Sequence, residues 1–523
     1  MKKLIKNIFS RNFSEKIRIL EDRKHAHIWE IREIIDEICK VESEKFNNFN
    51  YTSNAPTKEL FHLAYIQRNL NGLLWLKRFR YVMLQERVFN KKIVFPLTKS
   101  WIEILIKHNY KVSATKSYLM YIGFLFGIAA KDYLALLKRK KRSGMKEFNQ
   151  NLVPIYLDDF KLEQFSIGKL SKFTFVNWLK INLYQNLNLL IYHGNSQIRM
   201  KYKSITEDLI TDDSFLSKFT FKENLAIYLS ILKCFLFNFN VYLFYHLPNL
   251  WRYFAILKYP KKVVPSEFFF NCSRGSNMPL WVHGLIQQKI SVQFIFYALY
   301  SEPRFLNGNV PNTELWRLST WPSIICVDQV QSKEIFRDSK IVQKKFSFND
   351  VPWWNDSEDL SDKIGQGYIA LFDSFVGNAA LSLSVLDEYG LDKEESALKY
   401  LEDSVDMALS HGLAIVIKFK RNTGLNNSKQ AVKLKDLLKL NSASIFEINP
   451  LISPHKLIQK SEFTICKPYS TIAKIGQDLK IPVVEYNASG FLLKDSFHIE
   501  RKIPRANSKQ ELFEFASKNF GIK

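Results

Sequence analysis

The most constraining feature of this sequence is an alternation of strand-like and helix-like runs between residues 367 and 520. Short runs rich in Ile, Val and Phe alternate with longer runs in which apolar residues recur every three or four positions. This alternation predicts a parallel sheet covered by helices on both faces, because parallel strands need crossover connections. We expect strands at 367–374, 413–420, 444–450, 463–466 and 481–487, and helices at 394–410, 429–440, 454–459, 470–479 and 508–520.

The earlier part of the chain shows the same alternation less regularly. Residues 1–90 are predicted to be helical, and strands are expected at 92–97, 263–270, 290–300 and 323–329, with helices at 99–108 and 280–288. Residues 349–367 have the composition of a linker. We therefore predict an α/β protein with two Rossmann-like, doubly wound lobes that face a cleft. Its parts are a helical N-terminal region at 1–90, a first lobe with long apolar and basic helical insertions at 91–355, and a second lobe at 356–523, whose last helix is expected to return to the first lobe.

Positive charge is concentrated in the first two thirds of the chain. The formal net charge is +24, and residues 361–523 carry 22 Lys and Arg against 19 Asp and Glu, so the preceding 360 residues carry a net +21. Such a charge favours an anionic partner: nucleic acid, lipid headgroups or a phosphorylated substrate. The sequence contains no RNP-like strand, zinc-finger spacing or glycine-rich KH-type loop. We therefore expect no nucleic-acid partner.

Several segments favour a membrane surface over a membrane span. Residues 118–130 are apolar but too few to cross a bilayer as a helix, and residues 225–247 include Lys233 and His246. The first 13 residues place apolar side chains near one helical face and basic ones elsewhere, as in-plane helices do. The run KRKKR at 138–142 suits either anionic headgroups or a solvated loop. The five cysteines form no CxxC pair, which fits a reducing cytoplasm, so we expect a peripheral protein at the inner face of the cytoplasmic membrane.

Candidate ligand-binding residues follow the predicted strands, because doubly wound sheets bind ligands beyond the carboxyl ends of their strands. Ser470 and Thr471 stand where a helix starts, so its free N–H groups could hold a phosphate, or Ser470 could be an ordinary N-cap. Lys418 and the residues after it could neutralise phosphates or form a solvated strand end. The predicted substrate and nucleotide site comprises Ser374, Lys418, Lys420, Arg421, Glu447, Pro468, Ser470, Thr471, Ser489 and Gly490.

The later half of the chain resembles a known family. The segments SRGSNMPLWVHGL, ISVQFIFYALYSEP, AIVIKFKRNTG and KPYSTIAKIGQDLKIPVVEYNASG resemble bacterial surface polysaccharide biosynthesis proteins of the glycosyltransferase-B type, over about residues 263–515. The Ser470-Thr471 pair is also similar to the Ser/Thr pair that binds the CMP phosphate in bacterial sialyltransferases. The His-Pro dipeptide of those enzymes is absent, and Lys420-Arg421 occupies the comparable strand end.

The resemblance implies a metal-independent glycosyltransferase without a cofactor. Its substrates would be a CMP- or UDP-linked nucleotide sugar, held by the second lobe, and a glycan or lipid-linked acceptor, held by the first. A hydroxyl acceptor needs a general base, for which His283, Glu302 and Asp373 are candidates, although His283 also suits a packed or capping position. The loop with Ser273, Arg274 and Gly275 is expected to meet the acceptor. The alternatives are a nucleotide-sugar epimerase or polyol-phosphate transferase of the same architecture, or a non-catalytic scaffold of polysaccharide assembly.

Overall fold

Two parallel sheets and a preceding set of helices make up the part of the chain that the computed structural model describes. The described residues are 19–20, 23, 26–27, 29–46, 57–71, 73–137, 153–157, 179, 183–184, 189–193, 209–212, 221–237, 241–258, 264–271, 277–299, 316–336, 345–348, 364, 367–373, 394–419, 429–450, 452–490 and 500–520. Within these ranges, no helix is both long enough and apolar enough to cross a bilayer.

Helices precede the first sheet. They are α1 (residues 29–44), α2 (Lys58–Asn71), α3 (Leu73–Phe89), α4 (Lys99–Lys107) and α5 (Ala114–Leu137). Isoleucines at positions 31, 34, 35 and 38 recur at helical spacing, and all are buried in one apolar cluster with residues of the other four helices. Thr98 caps α4, because its hydroxyl accepts the Trp101 N–H at 3.3 Å.

The first sheet has seven strands in the order β3-β2-β1-β4-β5-β6-β7, and every neighbouring pair is parallel. The strands are β1 (Val153–Leu157), β2 (Leu189–His193), β3 (Leu209–Asp212), β4 (Glu267–Asn271), β5 (Ser291–Ile295), β6 (Ser323–Cys326) and β7 (Lys345–Phe348). The accompanying helices are α6 (Phe221–Phe237), α7 (Val241–Tyr245), α8 (Leu247–Lys258), α9 (Leu280–Gln287) and α10 (Gln329–Phe336). The central strand β4 buries the adjacent residues Phe268 and Phe269, whose side chains point to opposite faces of the sheet, as parallel strands covered by helices do.

The second sheet has six parallel strands in the order β10-β9-β8-β11-β12-β13. The strands are β8 (Tyr368–Asp373), β9 (Ile415–Phe419), β10 (Ile445–Ile448), β11 (Ser461–Cys466), β12 (Val483–Tyr486) and β13 (Arg505–Ala506). The helices are α11 (Glu394–Ser410), α12 (Lys429–Leu440), α13 (Pro454–Gln459), α14 (Thr471–Asp478) and α15 (Lys509–Phe520). Both sheets thus have the doubly wound order of a Rossmann-like lobe, which confirms the predicted fold class.

The two lobes contact each other beyond the carboxyl ends of their strands. The Leu299 N–H, a few residues after β5, donates to the Thr471 hydroxyl at the start of α14 at 3.0 Å. A second contact joins the Arg501 guanidinium to the Asp328 carboxylate, with an Nε–Oδ2 distance of 3.1 Å. One apolar cluster also includes buried residues of both sheets. The start of α14 therefore lies between the lobes.

The stretch after α3 differs from the prediction, whereas the domain boundary at residue 90 stays a prediction. Residues 92–97 do not form a strand, because Ile93 makes only an isolated bridge with Val112. The first strand of the sheet begins at Val153, so helical structure continues past residue 90 to Leu137. The apolar run at 290–300 also leaves the sheet after Ile295. Local apolar composition resembled a strand in these places, but pairing partners decide where a sheet forms.

The last helix packs on the second lobe. Helix α15 contacts α11, β12 and β13, and its Leu512 and Ala516 are buried in the core of the second lobe. These contacts lie within the second lobe, and the expectation that the helix returns to the first lobe stays a prediction. The residues just before β13 contact the first lobe, since Lys333 of α10 pairs with Glu500 with an Nζ–Oε1 distance of 2.6 Å.

Candidate functional site

The second sheet changes winding direction between β8 and β11. These strands are neighbours, but the chain continues from β8 to β9 on one side and from β11 to β12 on the other. A switch point of this kind leaves a crevice beyond the carboxyl ends of the two strands, where doubly wound proteins bind ligands. Asp373 is the last residue of β8 and Lys467 directly follows β11, so both lie at this switch point.

Asp373 and Lys467 form a buried ion pair. Lys467 Nζ lies 2.7 Å from Asp373 Oδ1, and the two side chains are 9% and 0% exposed. Gln430, near the start of α12, donates its side-chain N–H to the other carboxylate oxygen. Because both oxygens of Asp373 are engaged, its contacts favour orienting Lys467 over accepting a proton from substrate. A catalytic role for Asp373 stays a prediction.

A strained turn connects this pair to α14. Tyr469 has a positive φ of 63°, which non-glycine residues adopt only when their surroundings hold them there. The Tyr469 N–H donates to Glu485 Oε1 at 2.8 Å, and Arg505 Nε donates to Glu485 Oε2 at 3.0 Å. The Arg505 guanidinium also lies over the Tyr469 ring, 5.0 Å from its centroid. The buried Glu485 therefore fixes the turn that sets the position of α14.

Ser470 and Thr471 begin α14 and have different contacts. Ser470 is the N-cap, and its hydroxyl accepts the Ile472 N–H at 3.3 Å. Thr471 accepts the Leu299 N–H from the first lobe at 3.0 Å. Both residues keep partial solvent exposure. Capping and anion binding are compatible here, because a helix N-terminus carries a positive partial charge that the capping side chain does not remove.

Lys418 lies in β9, the neighbour of β8, and is almost fully buried. Its ammonium donates to the Pro450 carbonyl oxygen at 2.7 Å, after the end of β10. Burial lowers the pKa of Lys418 to about 8. A lysine near its pKa still carries positive charge at neutral pH, so it can interact with an anion at this edge of the sheet.

Of the other predicted residues, Glu447, Ser489 and Gly490 lie further from the switch point, whereas Pro468 lies at it. Glu447 is exposed on the edge strand β10, and partial desolvation raises the pKa of its carboxyl group. Ser489 and Gly490 form a turn after β12, where the Ser489 hydroxyl donates to Asn487 Oδ1 at 2.6 Å. Pro468 is buried between Lys467 and the strained Tyr469. The switch point thus brings together Asp373, Pro468, Ser470 and Thr471, with Lys418 on the adjoining strand.

His283 is buried in the first turn of α9, only 4% exposed. Burial lowers its pKa to about 3, so the imidazole is neutral at pH 7. This environment favours a packing role, and its role as general base stays a prediction. The other predicted residues lie outside the described part of the chain: Ser273, Arg274, Gly275, Glu302, Ser374, Lys420 and Arg421.

Sequence reasoning missed three residues that shape the site. Lys467 had a recognisable signal, because it directly follows an apolar strand, and Asp373 likewise stands at the end of one. Gln430 and Arg505 had none, since their roles depend on which elements become neighbours. Within the described residues, no group of three or more His, Cys, Asp or Glu side chains is placed to hold a metal ion.

A family model described as "Polysaccharide biosynthesis PFTS motif protein" matches residues 231–515, more than half of the chain. The chain belongs to this family. In one-letter code, PFTS is Pro-Phe-Thr-Ser, and residues 468–471 within the matched range are Pro-Tyr-Ser-Thr. The order is the same: proline, an aromatic residue and two hydroxyl residues. Residues 468–470 form the turn between Lys467 and α14, and Thr471 is the first residue of α14.

Several solved structures show distant similarity to the chain. A UDP-GlcNAc 2-epimerase from Methanocaldococcus jannaschii is 12% identical, with a TM-score of 0.37 over 71% of this chain and 93% of that one. A UDP-forming α,α-trehalose-phosphate synthase from Burkholderia xenovorans is 9% identical, with a TM-score of 0.37 over 71% and 92%. The Acinetobacter baumannii MurG structure is 10% identical, with a TM-score of 0.33 over 70% and 89%. TM-scores this low assign neither a substrate nor a reaction. No curated protein matches the chain.

Proposed function

We propose that this member of the family is a glycosyltransferase. It transfers a sugar from a CMP- or UDP-linked donor to a surface polysaccharide or lipid-linked glycan acceptor, at the inner face of the cytoplasmic membrane. The observation that carries the proposal is the position of the α14 N-terminus, which follows the Lys467–Asp373 pair and contacts the first lobe. Membership of a polysaccharide biosynthesis family supports the substrate class.

Stabilisation of the leaving nucleotide is the main task of such a site. Negative charge builds up on the leaving phosphate as the bond to the sugar breaks, and fixed positive charges lower the energy of that state. The α14 N-terminus and the Lys467 ammonium supply such charges at the switch point, and Asp373 holds Lys467 in place. Lys418 adds a further cation from β9. These groups make the proposed mechanism independent of a metal.

The acceptor would approach from the first lobe. Its hydroxyl needs a general base, for which Glu302 and His283 stay the candidates from that lobe, and the loop with Ser273, Arg274 and Gly275 would bind the glycan. The contact between Leu299 and Thr471 supports this arrangement, because it brings the end of β5 next to the proposed phosphate site. Positioning of two substrates between the lobes would supply much of the rate enhancement.

The test is a product analysis with the purified chain. CMP- and UDP-sugars labelled in the sugar, and a CDP-polyol labelled in the polyol, are incubated with a lipid extract of bacterial membranes as acceptor, and products are separated by chromatography. The proposal predicts that label enters the lipid fraction while free nucleotide is released in equal amount. If the label stays attached to the nucleotide but in a different sugar, the protein is an epimerase. If a polyol phosphate enters the lipid fraction, it is a polyol-phosphate transferase. Unchanged donors would favour a scaffold. Each of these three results would overturn the proposal.

A further inference from the structure

Helix α6 presents its most apolar face to solvent. Six of its large apolar side chains are between 48% and 73% exposed: Leu225, Tyr228, Leu229, Leu232, Leu236 and Phe237. The first five recur at helical spacing on one face, while Ile227, Ile231 and Cys234 are buried on the opposite face. A helix that is apolar on both sides needs a second apolar environment for its outer face.

Helix α5 has a similar outer face. Leu119, Met120 and Phe126 are 64%, 44% and 49% exposed, and Gly123 and Ala130 continue the same exposed stripe. Both α5 and α6 contact α8, so they belong to one region of the molecule. Of the fifteen large hydrophobic side chains exposed in the described ranges, nine lie on these two helices. This clustering distinguishes them from the scattered exposed residues of an ordinary surface.

The charges beside this surface identify its partner. Among the residues of the two helices whose exposure the structure describes, Lys116, Lys222 and Lys233 are exposed, and Glu223 is the single exposed acid. The sequence continues from the end of α5 directly into Lys-Arg-Lys-Lys-Arg at 138–142. An apolar face beside lysines is complementary to a bilayer with anionic headgroups. A second copy of the chain fits less well, because each copy has a net charge of +24 and the two would repel.

We propose that the outer faces of α5 and α6 form a docking surface that inserts in-plane into an anionic lipid bilayer. This proposal goes beyond the location proposed above, because it names the helices that contact lipid, and it does not rest on the transferase reaction. The apolar stripe supplies binding energy through burial in the acyl region, and the lysines contribute attraction to the headgroups.

Vesicle flotation of the full chain tests the proposal. The vesicles contain phosphatidylcholine alone or with about one third phosphatidylglycerol. The face variant carries Leu229→Ala and Leu232→Ala, which keep helix propensity. The matched control carries Val432→Ala and Leu440→Ala, which are 53% and 79% exposed on α12 in the other lobe. Circular dichroism melts confirm that each variant is folded.

We expect wild type and control to float with the anionic vesicles and to bind the neutral ones more weakly. The face variant should lose about a hundredfold in partitioning, since each leucine withdrawn from lipid costs about tenfold. Should the face variant fail to fold, Leu119→Ala with Phe126→Ala provides the same comparison on α5. Equal partitioning of face variant and control would overturn the proposal, and so would a wild type that does not float. It would also be overturned if gel filtration showed that the face variant converts a dimer to a monomer without affecting flotation.

Discussion

Replacement of Lys467 by methionine removes the cation from the ion pair at the switch point and keeps a side chain of similar length. At the Nζ–Oδ1 distance of 2.7 Å, the attraction is about 6 kcal/mol for an effective dielectric constant of about 20, before desolvation is subtracted. The variant leaves the fully buried Asp373 carboxylate without its partner, so we expect a loss of roughly 3–5 kcal/mol in the free energy of unfolding. In a lobe of this size, that loss lowers the Tm by roughly 10 °C.

Thermal melts of three variants measure this effect. The Asp373→Asn/Lys467→Met double variant should recover much of the loss, because an amide needs no counter-charge and can still accept from Gln430. Lys433→Met is the matched control, since Lys433 pairs with Glu402 at a similar Nζ–Oε1 distance of 2.9 Å but on the surface, and its Tm should barely change. Two results would refute this account: a Tm of Lys467→Met equal to that of Lys433→Met, or a double variant that is no more stable than Lys467→Met.

Three further predictions concern single residues. Burial lowers the pKa of Lys418 from 10.5 to about 8, so the unfolded chain binds more protons than the folded one between those pH values. Wild type should therefore gain stability relative to Lys418→Met as the pH rises through that range. A Tm difference between the two proteins that does not change with pH would contradict this. An alanine Cβ at position 476 would lie 3.0 Å from Val483 Cβ and 3.2 and 3.4 Å from its two Cγ methyls, so Gly476→Ala should cost roughly 1–3 kcal/mol. A Val483→Ala background removes the methyls and lets the residue yield, so the cost should be smaller there, and an equal cost in both backgrounds would exclude the Cγ contacts as its cause. Ser470→Ala should lower the free energy of unfolding by about 1 kcal/mol through loss of the N-cap, and Ser470→Gly by only a few tenths. Denaturation curves in which the glycine variant is as unstable as the alanine variant, or less stable, would argue against capping.

The second lobe could be predicted well because its signals are local. Helices Glu394–Ser410, Lys429–Leu440 and Pro454–Gln459 have the predicted bounds, since apolar periodicity and start signals within each segment define them. The two-residue strand β13 was not predicted, because so short a pairing has no periodicity. In the helical region, the apolar run at 92–97 lacks strand partners beyond Val112, so its composition indicated the wrong structure.

The site could be predicted only in part. A serine at a helix start after a strand identified Ser470 as a cap and as an anion-site candidate, and the structure has the cap. The pairing of Asp373 with Lys467 depends on β8 and β11 being neighbours, which no local pattern specifies. The contact between Leu299 and Thr471 depends on the arrangement of two lobes and is equally absent from local sequence. Strand order and lobe packing therefore account for what sequence reasoning missed.

The central claim is that the N-terminus of α14 binds the phosphate of a nucleotide. Ser470→Asp tests it most directly, because aspartate caps a helix as well as serine does but places a negative charge where the phosphate would lie. Isothermal titration calorimetry compares wild type and Ser470→Asp with CMP, CDP, UMP and UDP, and melts without nucleotide establish that the variant is equally stable. We expect wild type to bind at least one of these nucleotides and the equally stable variant to bind it at least about tenfold more weakly, owing to charge repulsion. Equal affinity of the two proteins, or no binding to wild type, would contradict the claim.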